Sequence, residues 1–85
     1  MKVDNITERF PDCTVLQADG FDDAILGYDP QSERVVYDAG WCVGVLMERD
    51  KMSYDEAIEY FEFNVSGAYV GEHTPLFIYH VLEEQ

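Results

Sequence analysis

Glu72 and His73 stand side by side in the stretch GAYVGEHTPLF, where an imidazole directly follows a carboxylate. A pair of that kind could serve acid–base catalysis or supply half of a metal site. Adjacent residues rarely converge on one point, no second His lies at helical spacing, and His80 is seven residues on. Gly67 and Gly71 lack the preceding strand and the GxGxxG or Walker spacing of a phosphate loop. No Lys or Arg stands nearby in the sequence to receive a phosphate. Ser32, Ser53 and Ser66 fall in a turn, at a helix cap and near a helix end. Cys42 falls on an apolar stripe, and Cys13 follows an acid, the wrong neighbourhood for an activated thiol. The two cysteines allow one disulfide at most and have no CxxC spacing. Carboxylate pairs abound, but glycosidase chemistry also needs a cleft that a chain this short can scarcely build. The expectation is a protein that is not an enzyme, with no catalytic set, no metal site and no cofactor.

What the chain has in excess is charge. Eighteen Asp and Glu face five Lys and Arg, a net charge of −13, and the acids run from Asp4 to Glu84 rather than forming a tail. With 47% hydrophobic and 14% aromatic residues, the chain is too apolar for an acidic disordered segment. Such a field repels nucleic acid and anionic membranes and steers toward basic protein surfaces. Three readings fit it: a solvated surface that keeps a small protein soluble, a salt-loving source, or a binding surface for a cationic site that otherwise holds nucleic acid. The opening MKVDNITERF has no apolar secretory region, and PLFIYHVL is too short to span a bilayer. A cytoplasmic protein with reduced thiols is expected.

These side chains need a scaffold, and the periodicity supplies one. DNITERF predicts a short helix, with Asp4 as cap, Ile6 and Phe10 on one side, and Pro11 as its end. CTVLQ predicts a brief strand. AILGYDPQSERVVYD predicts a hairpin turning at Asp29-Pro30-Gln31-Ser32. Asp38 then caps a helix over AGWCVGVLMERD, whose apolar stripe is Ala39, Cys42, Val43, Leu46 and Met47. Gly40 and Gly44 weaken that helix, and Trp41 and Val45 fall off its stripe. In SYDEAIEYFEFN, Ser53 and Glu56 make a capping box. Ala57, Ile58, Phe61 and Val65 point inward there, while Asp55, Glu59 and Glu62 point outward. VSGAYVG is expected to continue the helix until Gly71 stops it. PLFIYHVL predicts a final strand with both faces largely covered, Leu76, Ile78, His80 and Leu82 on one and Phe77, Tyr79 and Val81 on the other. The sum is one α+β domain over residues 1–85, a short antiparallel sheet (the hairpin plus a C-terminal strand) packed on two or three helices.

The outward row is the candidate site. A rise of about 1.5 Å per residue sets Asp55, Glu59 and Glu62 along roughly 10 Å of one surface. Glu48 and Asp50, just before this helix, extend it, and Trp41 offers an aromatic anchor where charges alone would only steer. The expected partner is the basic surface of a nucleic-acid-binding protein, with no direct nucleic-acid or membrane contact. A homodimer through Trp41 and Val45 is the competing expectation. The corner GAYVGEHTPLF is expected to be a structural joint, with Asn64, Glu72 and Thr74 adding hydrogen bonds that fix it.

Val36-Tyr37-Asp38, Leu46-Met47-Glu48, the run from Glu56 through Asn64 and the run from Gly67 through Phe77 together form a motif. In these segments, between residues 34 and 77, the chain resembles a family of short acidic proteins of bacteria and their phages with a VYD…LME…EFN…GAYVGExTPxF pattern. The resemblance covers about half the chain. It implies a shared fold and phage or mobile-element company, and it carries no activity. An anti-CRISPR or anti-restriction role on a host defence protein is the function expected from that company together with the charge. The family carries polar or charged residues near the positions of Trp41 and Gly44, so their replacement here implies a specialised partner surface.

Overall fold

The computed structural model describes residues 3–81. The chain runs through helix α1 (Val3–Arg9), a one-turn 3₁₀ helix (Asp22–Ala24), strands β1 (Ile25–Asp29) and β2 (Arg34–Asp38), helices α2 (Ala39–Arg49) and α3 (Tyr54–Asn64), and strand β3 (Leu76–Ile78). This is the α+β domain expected from the sequence, with the hairpin and the C-terminal strand in one sheet of order β1-β2-β3.

The hairpin forms because Asp29 folds its own turn. Its carboxylate accepts from the Gln31 N–H at 3.0 Å and the Ser32 hydroxyl at 2.7 Å. That hydroxyl, followed by the Gln31 N–H, holds the Asp29 carboxyl below its usual range. Along β2, Val35 and Tyr37 are buried while Arg34, Val36 and Asp38 are half-buried, the alternation of a strand with one covered face. A bulge between Ile25 and Gly27 shifts the pairing of β1.

The third strand departs from the all-antiparallel expectation, because β3 lies parallel to β2 with Tyr37 opposite Phe77 and Asp38 opposite Ile78. Two helices intervene between β2 and β3, and a connection of that length returns the chain in the same direction. The strand is also shorter than PLFIYHVL promised. Asp38 is the last residue of β2 and already caps α2, so nothing remains opposite Tyr79 and His80. Ile78, Tyr79 and Val81 are consequently exposed rather than covered. Leu82 lies outside the described residues.

The core is a seam between the sheet and two helices. Tyr37, Phe61, Leu46, Val35 and Cys42 are its most deeply buried large residues. Phe77 stacks on Tyr37 at 5.2 Å and meets the edge of Phe61 at 5.4 Å, joining β3, β2 and α3 through three rings. From α2 the core takes Ala39, Cys42, Val43 and Leu46. Met47 lies on the flank of that stripe and stays exposed, unlike the sequence expectation.

Three further expectations are corrected. Asp4 sits inside the first turn of α1 rather than ahead of it. CTVLQ is not a strand, because side chains of the hairpin region take its backbone groups. The Thr14 N–H goes to Glu33 at 2.7 Å and the Thr14 carbonyl to the Tyr28 hydroxyl at 2.6 Å, while just beyond the stretch the Ala18 N–H goes to the Tyr37 hydroxyl at 2.7 Å. Lastly, α3 stops at Asn64 and not at Gly71. The Val65 and Ser66 N–H groups both turn to the Phe61 carbonyl. Gly67 then passes so near the Glu62 carbonyl that a Cβ would collide with it.

Candidate partner-binding surface

The acidic face of α3 is built from its first residue. Ser53 accepts from the Glu56 N–H at 3.2 Å, and the Glu56 carboxylate accepts from the Ser53 N–H at 3.0 Å, closing the capping box. The Ser53 backbone N–H, helped by its hydroxyl, holds the Glu56 carboxyl below the usual range, so Glu56 adds a fixed charge to the row. With Ala57 and Phe61 buried, Asp55, Glu59 and Glu62 are turned to solvent as expected.

The same face carries aromatic groups that the inward stripe of Ala57, Ile58, Phe61 and Val65 had left aside. Phe63 is 75% exposed and Tyr60 43%. They line a groove of about 470 Å³ with Met52, Glu56, Glu59 and Asn64. The signal was present in the sequence: Phe63 lies four residues after Glu59 and seven after Glu56, on the acidic side of the helix.

Glu48 and Trp41 lie on the solvent side of α2, apart from that row in the chain. Trp41 is 58% exposed. It lines a groove of about 650 Å³ with Asp38, Gly40, Gly44, Val45, Met47 and Glu48. Across Val45 and Glu48 lies a second groove of about 520 Å³ that adds Gly20, Asp22, Asp23 and Arg49. Asp22 and Asp23 thus join the acidic rim of α2 from a distant stretch of sequence.

Asp50 has a different occupation. Arg49 grips its carboxylate with two nitrogens, at 3.2 and 3.1 Å, and also reaches the Gly20 carbonyl at 2.9 Å and the Phe21 ring at 5.3 Å. The guanidinium holds the Asp50 carboxyl below its ordinary value. Asp50 therefore helps to anchor the 3₁₀ turn to the end of α2 and leaves the candidate row. This is the single ion pair found among the described residues.

Carboxylates occur on every helix and on β1 and β2, so charge alone singles out no face. The outer sides of α3 and α2 carry exposed aromatic side chains, Phe63 and Tyr60 on one and Trp41 on the other, interleaved with acids. The pair that opens the sequence reading does not converge: half-buried His73 faces the Ser32 carbonyl at 3.3 Å, and Glu72 is exposed. Thr74 fixes the corner as expected, accepting from the Val70 N–H at 2.9 Å and donating to the Gly71 carbonyl at 2.7 Å. Arg34 adds a bond to the Thr74 carbonyl at 2.5 Å. Asn64 and Glu72 contribute no side-chain hydrogen bond among the described residues. Cys42 is fully buried, and that burial, with Asp38 nearby, pushes its thiol up to about 12. Among the described residues, no group of three His, Cys, Asp or Glu could hold a metal, and no helix is long and apolar enough to cross a membrane. No family model, curated protein or solved structure matches this chain, so the likeness to acidic bacterial and phage proteins rests on its motif alone.

Proposed function

We propose that this chain is a non-enzymatic, acidic protein-binding inhibitor of the phage type, acting in the cytoplasm. Its target is the basic nucleic-acid-binding site of a host defence protein, a CRISPR effector or restriction enzyme. One observation carries the reading: α3 presents a row of carboxylates that form no ion pair among the described residues, with Phe63 exposed among them. Asp55, Glu56, Glu59 and Glu62 span about 10.5 Å of helix rise, which averages about 3.5 Å per interval. One strand of duplex DNA carries a charge every 3.4 Å or so. A groove lined with Arg and Lys to follow a phosphate backbone meets a similar linear charge density here. Phe63 and Tyr60 add apolar area and aromatic faces for guanidinium groups.

The test is capture from host lysate at low ionic strength, identified by mass spectrometry, with elution by duplex DNA. Wild-type protein should retain nucleic-acid-binding proteins that DNA and salt both release. Asp55→Lys, Glu59→Lys and Glu62→Lys combined with Trp41→Ala should retain none of them. Retention by that variant of the same proteins, equally resistant to salt, refutes the acid-row account.

The exposed Trp41, with half-buried Val45 beside it, favours a second reading, a small homodimeric accessory domain with no inhibitor role. Self-association there brings Asp38 and Glu48 of each copy near acids of the other, a like-charge contact that opposes pairing. Light scattering over a range of concentrations separates the two, because a strict monomer removes the dimer.

A further inference from the structure

We propose that the solvent side of α2 is a docking groove for a basic segment of a partner, which seats one apolar side chain beside Trp41. Two glycines of this helix are not required by the fold itself. Gly40 and Gly44 lie in the exposed face of a helix, and neither has a positive φ. A Cβ at Gly44 would meet nothing within 4 Å, and one at Gly40 would meet only the Asp38 carboxylate, at 3.4 Å. Either position would accept alanine, a better helix former. What the glycines create is bare backbone next to an exposed indole, the floor of the groove of about 650 Å³.

Charge selects the occupant. Asp38 stands at one end of this groove and Glu48 at the other, and Asp23 borders the adjoining groove beyond Val45. Arg49 is committed to Asp50 and the Gly20 carbonyl, so it does not balance them. Asp38 and Glu48 are ten residues apart, roughly 15 Å along the helix, the length of about three turns of a partner helix. The chemistry that fits is a short amphipathic segment with Lys or Arg on either side of a Leu- or Met-sized residue. A phosphate-bearing ligand meets the wrong sign of field, and a second copy brings acids against acids.

This inference shares with the proposed function the basic character of the partner and the side chain of Trp41; it uses the groove of another helix and adds an apolar anchor. Trp41 is the sole tryptophan of the chain, so its emission reports this face directly. The full chain is titrated with three synthetic helical peptides: Lys/Leu amphipathic, Lys/Ala of equal charge, and Glu/Leu. The Lys/Leu peptide should give a saturable blue shift, the Lys/Ala peptide should bind about tenfold more weakly or worse, and the Glu/Leu peptide should not bind. Gly44→Gln should weaken Lys/Leu binding about tenfold or more while melting no lower than wild type, so the loss is not one of folding. Reversal of Asp55, Glu59 and Glu62 should leave the response within a few-fold. Equal binding of Lys/Ala and Lys/Leu, or full binding by Gly44→Gln, overturns the proposal. So does loss of the response on reversal of the α3 acids, which would place the peptide on α3. A blue shift that grows with protein concentration without peptide also overturns it, because the occupant is then a second copy.

Discussion

Replacing Tyr37 by Phe tests how this small domain holds the segment before its hairpin. Tyr37 is fully buried, and its ring stacks on Phe77 at 5.2 Å, a contact that Phe preserves. The change removes one atom, the hydroxyl oxygen that accepts from the Ala18 N–H at 2.7 Å. A hydrogen bond of this kind is worth roughly 0.5–1.5 kcal/mol net, and leaving a buried donor without a partner costs about 1–3 kcal/mol. Ala18 is only half-buried, so water can partly replace the lost acceptor. The expected loss is therefore about 1–2 kcal/mol. In a domain of 60–100 residues each kcal/mol moves the melting midpoint by about 4–8 °C, which predicts a fall of roughly 5–15 °C. Thermal melts by circular dichroism measure the midpoint, and amide hydrogen exchange shows whether Ala18 loses protection. Tyr28→Phe is the control: it removes a bond of 2.6 Å to the Thr14 carbonyl at an exposed end, so its cost should stay below about 0.5 kcal/mol. An unchanged midpoint with Ala18 still protected in Tyr37→Phe would refute the idea that side chains replace a ladder for residues 13–18.

Ser53→Ala removes the hydroxyl half of the capping box and should destabilise by about 1 kcal/mol, read as a lower melting midpoint. Thr74→Val removes both corner bonds and should cost about 1–2 kcal/mol in the same assay, without altering partner capture through α3. Because burial raises the folded Cys42 thiol from 9.0 to about 12, the folded state keeps its proton longer than the unfolded one. Its contribution is then whole below pH 9 and is lost as pH climbs toward 12, so denaturant midpoints should fall more steeply over that range in wild type than in Cys42→Ala. Added NaCl should raise the melting midpoint, by screening a net charge of −13, while weakening partner capture; a midpoint that falls on the first additions contradicts net self-repulsion.

Much of the fold was legible because its signals are local. The Asp29 turn, the Asp38 cap and the Ser53–Glu56 box act within two or three residues, and each stands where the sequence put it. The misses come from contacts across the chain. CTVLQ has strand composition, yet Tyr28 and Glu33, fourteen and nineteen residues away, take the backbone groups of Thr14, and Tyr37 holds the Ala18 N–H just after it. PLFIYHVL alternates beyond Ile78, but a strand needs a partner, and β2 has already become the cap of α2. The site divides in the same way. Asp55, Glu59 and Glu62 follow from helical spacing, whereas Asp22 and Asp23 reach the α2 rim only through tertiary packing, and Arg49 withdraws Asp50. Phe63 was readable from the wheel, but a search for the inward stripe passes over an aromatic that points out.

The division of labour inside the chain follows from these contacts. The core is joined by neutral groups: three rings around Phe77, the apolar stripe of α2, and the hydroxyls of Tyr37 and Thr74. The one ion pair among the described residues is exposed, and pairs of that kind contribute about 0–1 kcal/mol. Individual carboxylates hold turns and helix starts, Asp29 in the hairpin and Asp38 and Glu56 at the caps, but the mutual repulsion of so many acids works against the fold. An exposed Phe63, an exposed Trp41 and two helical glycines add nothing to the fold either, since each lies where burial or helix propensity would favour another residue. These features gather on the outer faces of α2 and α3, beside Glu48 on one and Asp55, Glu59 and Glu62 on the other. Solvation requires the charge but not the aromatics, so the pairing of the two on these faces is what the proposed basic partner would account for.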